Sequence, residues 1–109
     1  MGYLQHGGAE YEFEDRLLAH LQILIREKLL KRESFFLDWH TPSLQGNCHS
    51  AIWISIYVPL EFHYSGSREP EINRAWLLAL SALAHSPRGL VVVREEAAEK
   101  YHEKNPSLR

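Results

Sequence analysis

The chain has 109 residues, 45% of them apolar and 11% aromatic, and a formal charge of −2. That length suits one domain with enough apolar side chain for a real core. The charge removes the broad basic footprint of a general nucleic-acid binder, and the single cysteine, Cys48, excludes an internal disulfide and a cysteine-cluster zinc site.

The first segments, "GYLQHG" and "AEYEFE", are split by Gly7-Gly8. Tyr11 and Phe13 alternate with Glu10, Glu12 and Glu14, the period of a strand with one wet face, and the double glycine reads as a hairpin turn. Asp15 then offers an N-cap to "RLLAHLQILIREKLLKR". Leu17, Leu18, Leu21, Leu24, Ile25 and Leu29 share one broad helical face, while Ile23 and Leu30 fall on the opposite side. "ESFFLDWH" has the bulk of a strand, with Phe36, Asp38 and His40 on one side and Phe35, Leu37 and Trp39 on the other. "TPSLQGNCHS" reads as a loop by composition.

"AIWISIYVPLEFHYS" is β-branched and aromatic. Pro59 makes it either a bulged edge strand or two strands joined at Val58-Pro59. "INRAWLLALSALAHS" is a second helix with a core stripe of Ile72, Trp76, Leu80 and Leu83, and Pro87, Arg88 and Gly89 stop it. "LVVVRE" is a last strand, expected in the sheet interior. The polar tail, 95–109, is expected to be partly helical or disordered. "FEDRLLAHL" and "EINRAWLLAL" echo each other, as a duplicated strand–helix–strand unit would leave them.

The order β-β-α-β-β(-β)-α-β predicts an α+β fold in residues 1–94. Two layers are expected, with two helices on one face of a mainly antiparallel sheet. No apolar run approaches the roughly 20 residues of a membrane span. Nor does the start show the basic and apolar regions of a signal peptide, so a cytoplasmic chain is expected.

Residues 66–77, "GSREPEINRAWL", crowd Arg68, Glu69, Glu71 and Arg74 where the second helix should begin. Pro70 suits the first helical position, Ser67 or Glu69 can cap, and the glutamates complement the helix dipole, so each has a structural use. The other reading is an anion pocket between Arg68 and Arg74, which two nearby glutamates oppose. "REKLLKR" supplies Arg26, Lys28, Lys31 and Arg32. It reads as a solvated helix end that complements the dipole, or as a contact for phosphate or an acidic partner. The seven histidines include no i,i+4 pair and no HExxH motif. Asp38 and His40 share a strand face and His49 follows nearby, but surface or hydrogen-bonded histidines are the default, and no metal or cofactor is expected. Adjacent Cys48 and His49 lack nucleophile–base geometry, and no P-loop or GxGxxG occurs.

The frame "MGYLQHG", "FEDRLLAHLQ", "KRESFFLDW", "AIWISIYVPLEFHYSGS" and "PEINRAWLLAL…SPRGL" resembles a family of small actinobacterial proteins of unknown function. They often carry the automatic name "ATP-dependent DNA ligase". The resemblance spans roughly residues 1–93. The family pattern has Tyr at His6, and often two arginines where this chain has Lys31-Arg32. Its motifs are fold-wide and give no catalytic residues to carry over. Such ligases adenylate a lysine in K-x-D-G, and none of Lys28, Lys31, Lys100 and Lys104 stands in that motif. The name implies, at most, a place near nucleic-acid metabolism.

The expected function is non-catalytic: contact with a protein partner, or a homodimer through an outward patch of Ile23, Leu30 and Leu78. The alternative is a nucleic-acid accessory module using Arg26, Lys28, Lys31, Arg32, Arg68 and Arg74, with Trp39 or Tyr64 for stacking. A small enzyme with a site assembled across loops is a third reading.

Overall fold

The computed structural model describes residues 1–43 and 46–104, except the side chains of 42, 43, 46, 47 and 101–104. Residues 105–109, the end of the expected tail, lie outside the described residues. The order is β1 (Gly2–His6), β2 (Ala9–Phe13), α1 (Asp15–Leu30), β3 (Phe35–Ser43), β4 (Gly46–Ile54), β5 (Leu60–His63), α2 (Arg74–Leu83), β6 (Leu90–Val91) and α3 (Glu95–Lys104). The α+β class stands. The strands divide between two three-stranded sheets, β2-β1-β5 and β4-β3-β6, where one sheet was expected. Contacts group the chain into two units: residues 1–33 with 55–73, and residues 34–54 with 74–109.

In the first unit, β1 is central and antiparallel to both neighbours. Gly7 takes φ +60 at the first turn position, which a Cβ would resist, so the two-residue hairpin closes there. Leu4 and Phe13 point to the core, where Leu18, Leu21, Leu24 and Ile25 of α1 are buried. Each such side chain stabilises the unit by roughly 1.5–3 kcal/mol. The N-cap of α1 is Glu14 rather than Asp15, and its side chain makes no capping bond. Asp15 is used elsewhere, as described below. The helix ends with Arg32 in a left-handed conformation (φ 59), where its N–H reaches Leu29 O and the Glu33 N–H reaches Lys28 O. This closure usually takes glycine.

The expected start of the second helix near Pro70 is not observed. Residues 70–73 are non-helical, and α2 begins at Arg74. The reason lies on α1. His20 is fully buried, its Nδ1–H donates to Arg16 O (2.7 Å), and its Nε2 accepts the Asn73 N–H (2.9 Å). An imidazole thus holds the chain just before the helix, and Ser67 and Glu69 lie too far upstream to cap it.

In the second unit, β3 is central. It pairs antiparallel with β4 over nine positions and parallel with the two-residue β6. Phe35, Leu37 and Trp39 face the core. The segment expected to be a loop, 41–50, instead prolongs both strands; Leu44 and Gln45 lie outside the described residues. The ladder satisfies backbone groups that composition alone cannot assign. β6 is an edge strand, not an interior one, although Leu90 is fully buried. Trp76 of α2 is buried and donates its indole N–H to Val93 O (2.8 Å), and Ala98 of α3 is buried. No described helix is long and apolar enough to cross a membrane.

Each unit contains a hairpin and a third strand added beside the first strand of the hairpin, with one helix, α1, in the first unit and two, α2 and α3, in the second. The third strand is antiparallel in the first unit and parallel in the second. The echo heard in the sequence therefore corresponds to similar content, not to the same topology.

Candidate functional site

Of the site residues expected from sequence, Ile23, Arg26, Leu30 and Arg68 line one groove in the first unit. A groove of about 670 Å³ runs along α1, lined on the helix side by Ala19, Gln22, Ile23, Arg26, Glu27 and Leu30. The opposite wall is the segment after β5, including Tyr64, Arg68, Glu69, Pro70 and Ile72. The wall is held by Asp15 at the start of α1. Its carboxylate accepts the Ser65 N–H (3.2 Å), the Gly66 N–H (2.9 Å) and the Ser65 hydroxyl (3.0 Å). These bonds, the backbone N–H groups first, hold the Asp15 carboxyl below its ordinary pKa of 3.8. The Tyr64 hydroxyl donates to Gln22 Oε1 across the groove. Partial burial, then the negative charge of Asp15 and Glu69, pushes the Tyr64 phenol up, which keeps it a donor.

The groove mixes apolar and charged groups. Leu30 is 74% exposed and Ile72 43% exposed, both large apolar side chains turned to solvent. Ile72 was expected in a helical core stripe, but it lies before α2. Arg26 and Arg68 share the lining with Glu27 and Glu69, so the charge is balanced rather than basic. The other sequence candidates disperse. Lys28 is bridged to Glu33 (3.2 Å). Lys31 is exposed beyond the end of α1, and Arg32 forms its left-handed closure. Arg74 opens α2 and Leu78 is half-buried on it, both in the second unit and outside the groove lining. Trp39, considered for base stacking, is buried and unavailable for that role.

A second cluster forms on the side of β3 and β4 opposite the core residues. The register sets Phe36 against Trp53, Asp38 against Ala51 and His40 against His49. Phe36 and Trp53 are half exposed and meet edge to face at 5.0 Å between ring centroids. Sequence inspection placed Asp38 and His40 on one face. It could not show that His49 stands directly opposite His40, because a nine-residue pairing register is a non-local property. Among the described residues, Asp38, His40 and His49 are the group whose ligand atoms converge, all within 4.8 Å of one another.

Residues 1–95 match a domain of unknown function, DUF7882. Comparison with curated proteins and with solved structures finds no match.

Proposed function

We propose that this chain, which belongs to the DUF7882 family, acts by self-association, and that the groove along α1 is the contact surface. The observation that carries the reading is the exposure of Leu30 and Ile72 in a groove that also contains Ile23. A second copy is the occupant that fits, because the lining is self-complementary. The lining carries two arginines, Arg26 and Arg68, and two glutamates, Glu27 and Glu69, the mix of charges that an isologous contact needs to pair with itself. Burying Ile23, Leu30 and Ile72 on both copies contributes roughly 1.5–3 kcal/mol per fully buried side chain. Against this stands an association cost of about 4–15 kcal/mol, which leaves a weak dimer. Leu78, on α2 of the second unit, is not among the groove lining and has no part in this reading. A cytoplasmic setting goes with it, since the only cysteine, Cys48, is an exposed thiol.

The balanced charge of the groove favours a protein surface over nucleic acid, whose binders present one sign of charge. The absence of K-x-D-G argues in the same way against ligase chemistry. Dilution followed by backbone amide NMR tests the contact. Signals from 19–30 and 64–72 should shift with concentration while those of β3 and β4 stay fixed. Spectra that do not change with concentration reject it.

A further inference from the structure

The cluster on β3 and β4 plays no part in the docking groove and has the chemistry of a cation site. Asp38 is a buried carboxylate, 6% exposed, on the sheet face that carries the two histidines. Burying a carboxylate is costly unless both oxygens are satisfied. Here Oδ1 accepts His49 Nε2–H (2.7 Å) and Oδ2 faces Arg88 Nη2 (3.4 Å). Arg88 is brought there by the turn Ser86–Gly89, in which the Gly89 N–H bonds Ser86 O (3.0 Å). Gly89 has φ +87, and a Cβ on it would lie 2.3 Å from Phe36 O. The turn can thus approach β3 closely only because that residue is glycine.

His40 and His49 stack face to face, with ring centroids 4.6 Å apart and planes inclined by 17°. Both histidines are exposed, so solvent reaches their rings, although His49 Nε2 is engaged by Asp38. From these residues we infer that Asp38, His40 and His49 form a binding site for one divalent transition-metal ion of the zinc class. Two imidazoles and one carboxylate are a donor set that suits zinc and its neighbours better than magnesium or calcium, which prefer all-oxygen shells.

The dimensions fit with small adjustments. Tetrahedral ligands about 2.0–2.1 Å from zinc stand roughly 3.3 Å apart. The Asp38–His49 pair at 2.7 Å must open slightly, with the ion taking the place of the Nε2 proton. The remaining separations, at most 4.8 Å, close by rotation of exposed imidazoles about χ2, a soft torsion. Arg88 on the outer oxygen orients the carboxylate so that Oδ1 points at the histidines. Three protein ligands would leave a fourth coordination position on a tetrahedral ion for water.

Titration calorimetry of the metal-stripped full chain with zinc chloride tests the site. Wild type should bind one ion per chain. His40→Ala and His49→Ala should each weaken binding at least about tenfold, as loss of a ligand or its support does. His40→Ala replaces an exposed side chain and should leave the circular dichroism spectrum unchanged, whereas His49→Ala also removes the bond to the buried Asp38 Oδ1, so the His40 variant carries the test. His63→Ala, which removes the exposed His63–Glu61 pair (3.1 Å) in the other unit, should leave affinity unchanged. Cobalt substitution should give visible absorption bands that are lost in His40→Ala. The inference is overturned if wild type takes up no zinc, or if the His40→Ala/His49→Ala double variant binds as wild type does.

Discussion

His20 shows how one residue decides local structure. It is fully buried, and its two ring nitrogens are both used, one as donor to Arg16 O and one as acceptor from Asn73 N–H. That assignment requires the neutral Nδ1–H tautomer. His20→Ala removes both bonds and leaves a cavity, so chemical denaturation should show a loss of about 2–4 kcal/mol. His20→Leu restores volume but not the bonds, and should recover only part of that loss. Arg32 gives the opposite sign. Its left-handed φ of 59 strains an L-residue, so Arg32→Gly should stabilise the chain by about 0.5–1 kcal/mol in the same assay. A loss of stability there would mean that the arginine side chain contributes more than its backbone strain costs.

At the scale of elements, the carboxylate of Asp15 joins the start of α1 to the segment after β5. Its pKa is depressed, so the sign of the linkage is fixed. Its contribution to stability is complete above the unfolded value of 3.8 and is lost as pH falls through the lower folded value. Carboxyl NMR titration should place its midpoint below that of an ordinary aspartate. Asp15→Asn should remove this residue's share of the acid-side dependence and speed amide exchange at Ser65 and Gly66. A titration midpoint at or above 3.8 would contradict this.

Some of these elements were legible in the sequence. The α1 stripe of Leu18, Leu21, Leu24 and Ile25 follows from helical periodicity, and the Gly7-Gly8 turn follows from glycine's freedom. Helix α2 was misplaced because Pro70 and its neighbours satisfy every local rule for a helix start. The deciding bond comes from His20, 53 residues away in sequence. The extension of β3 and β4 through Thr41–Ser43 and Gly46–Ser50 was hidden for a related reason. Those residues read as loop one by one and become strand only through pairing. The convergence of Arg26 with Arg68, and of Ile23 with Ile72, likewise required the β1–β5 pairing that returns the chain to α1.

At the scale of the whole molecule, the central claim is association of two copies through the α1 groove. Leu30 is the position to change, because it is 74% exposed and its replacement should cost the monomer within about 0.5 kcal/mol. Ile23→Glu adds a charge to the same lining. Sedimentation equilibrium over a concentration series, for wild type and for the Ile23→Glu/Leu30→Glu variant, measures the claim directly. Wild type should pass from monomer to dimer between about 1 µM and 1 mM, the range of a weak complex. The variant should remain monomeric throughout, with an unchanged circular dichroism spectrum. A wild type that is still monomeric at the top of that range, or a variant that dimerises equally well, would contradict the account.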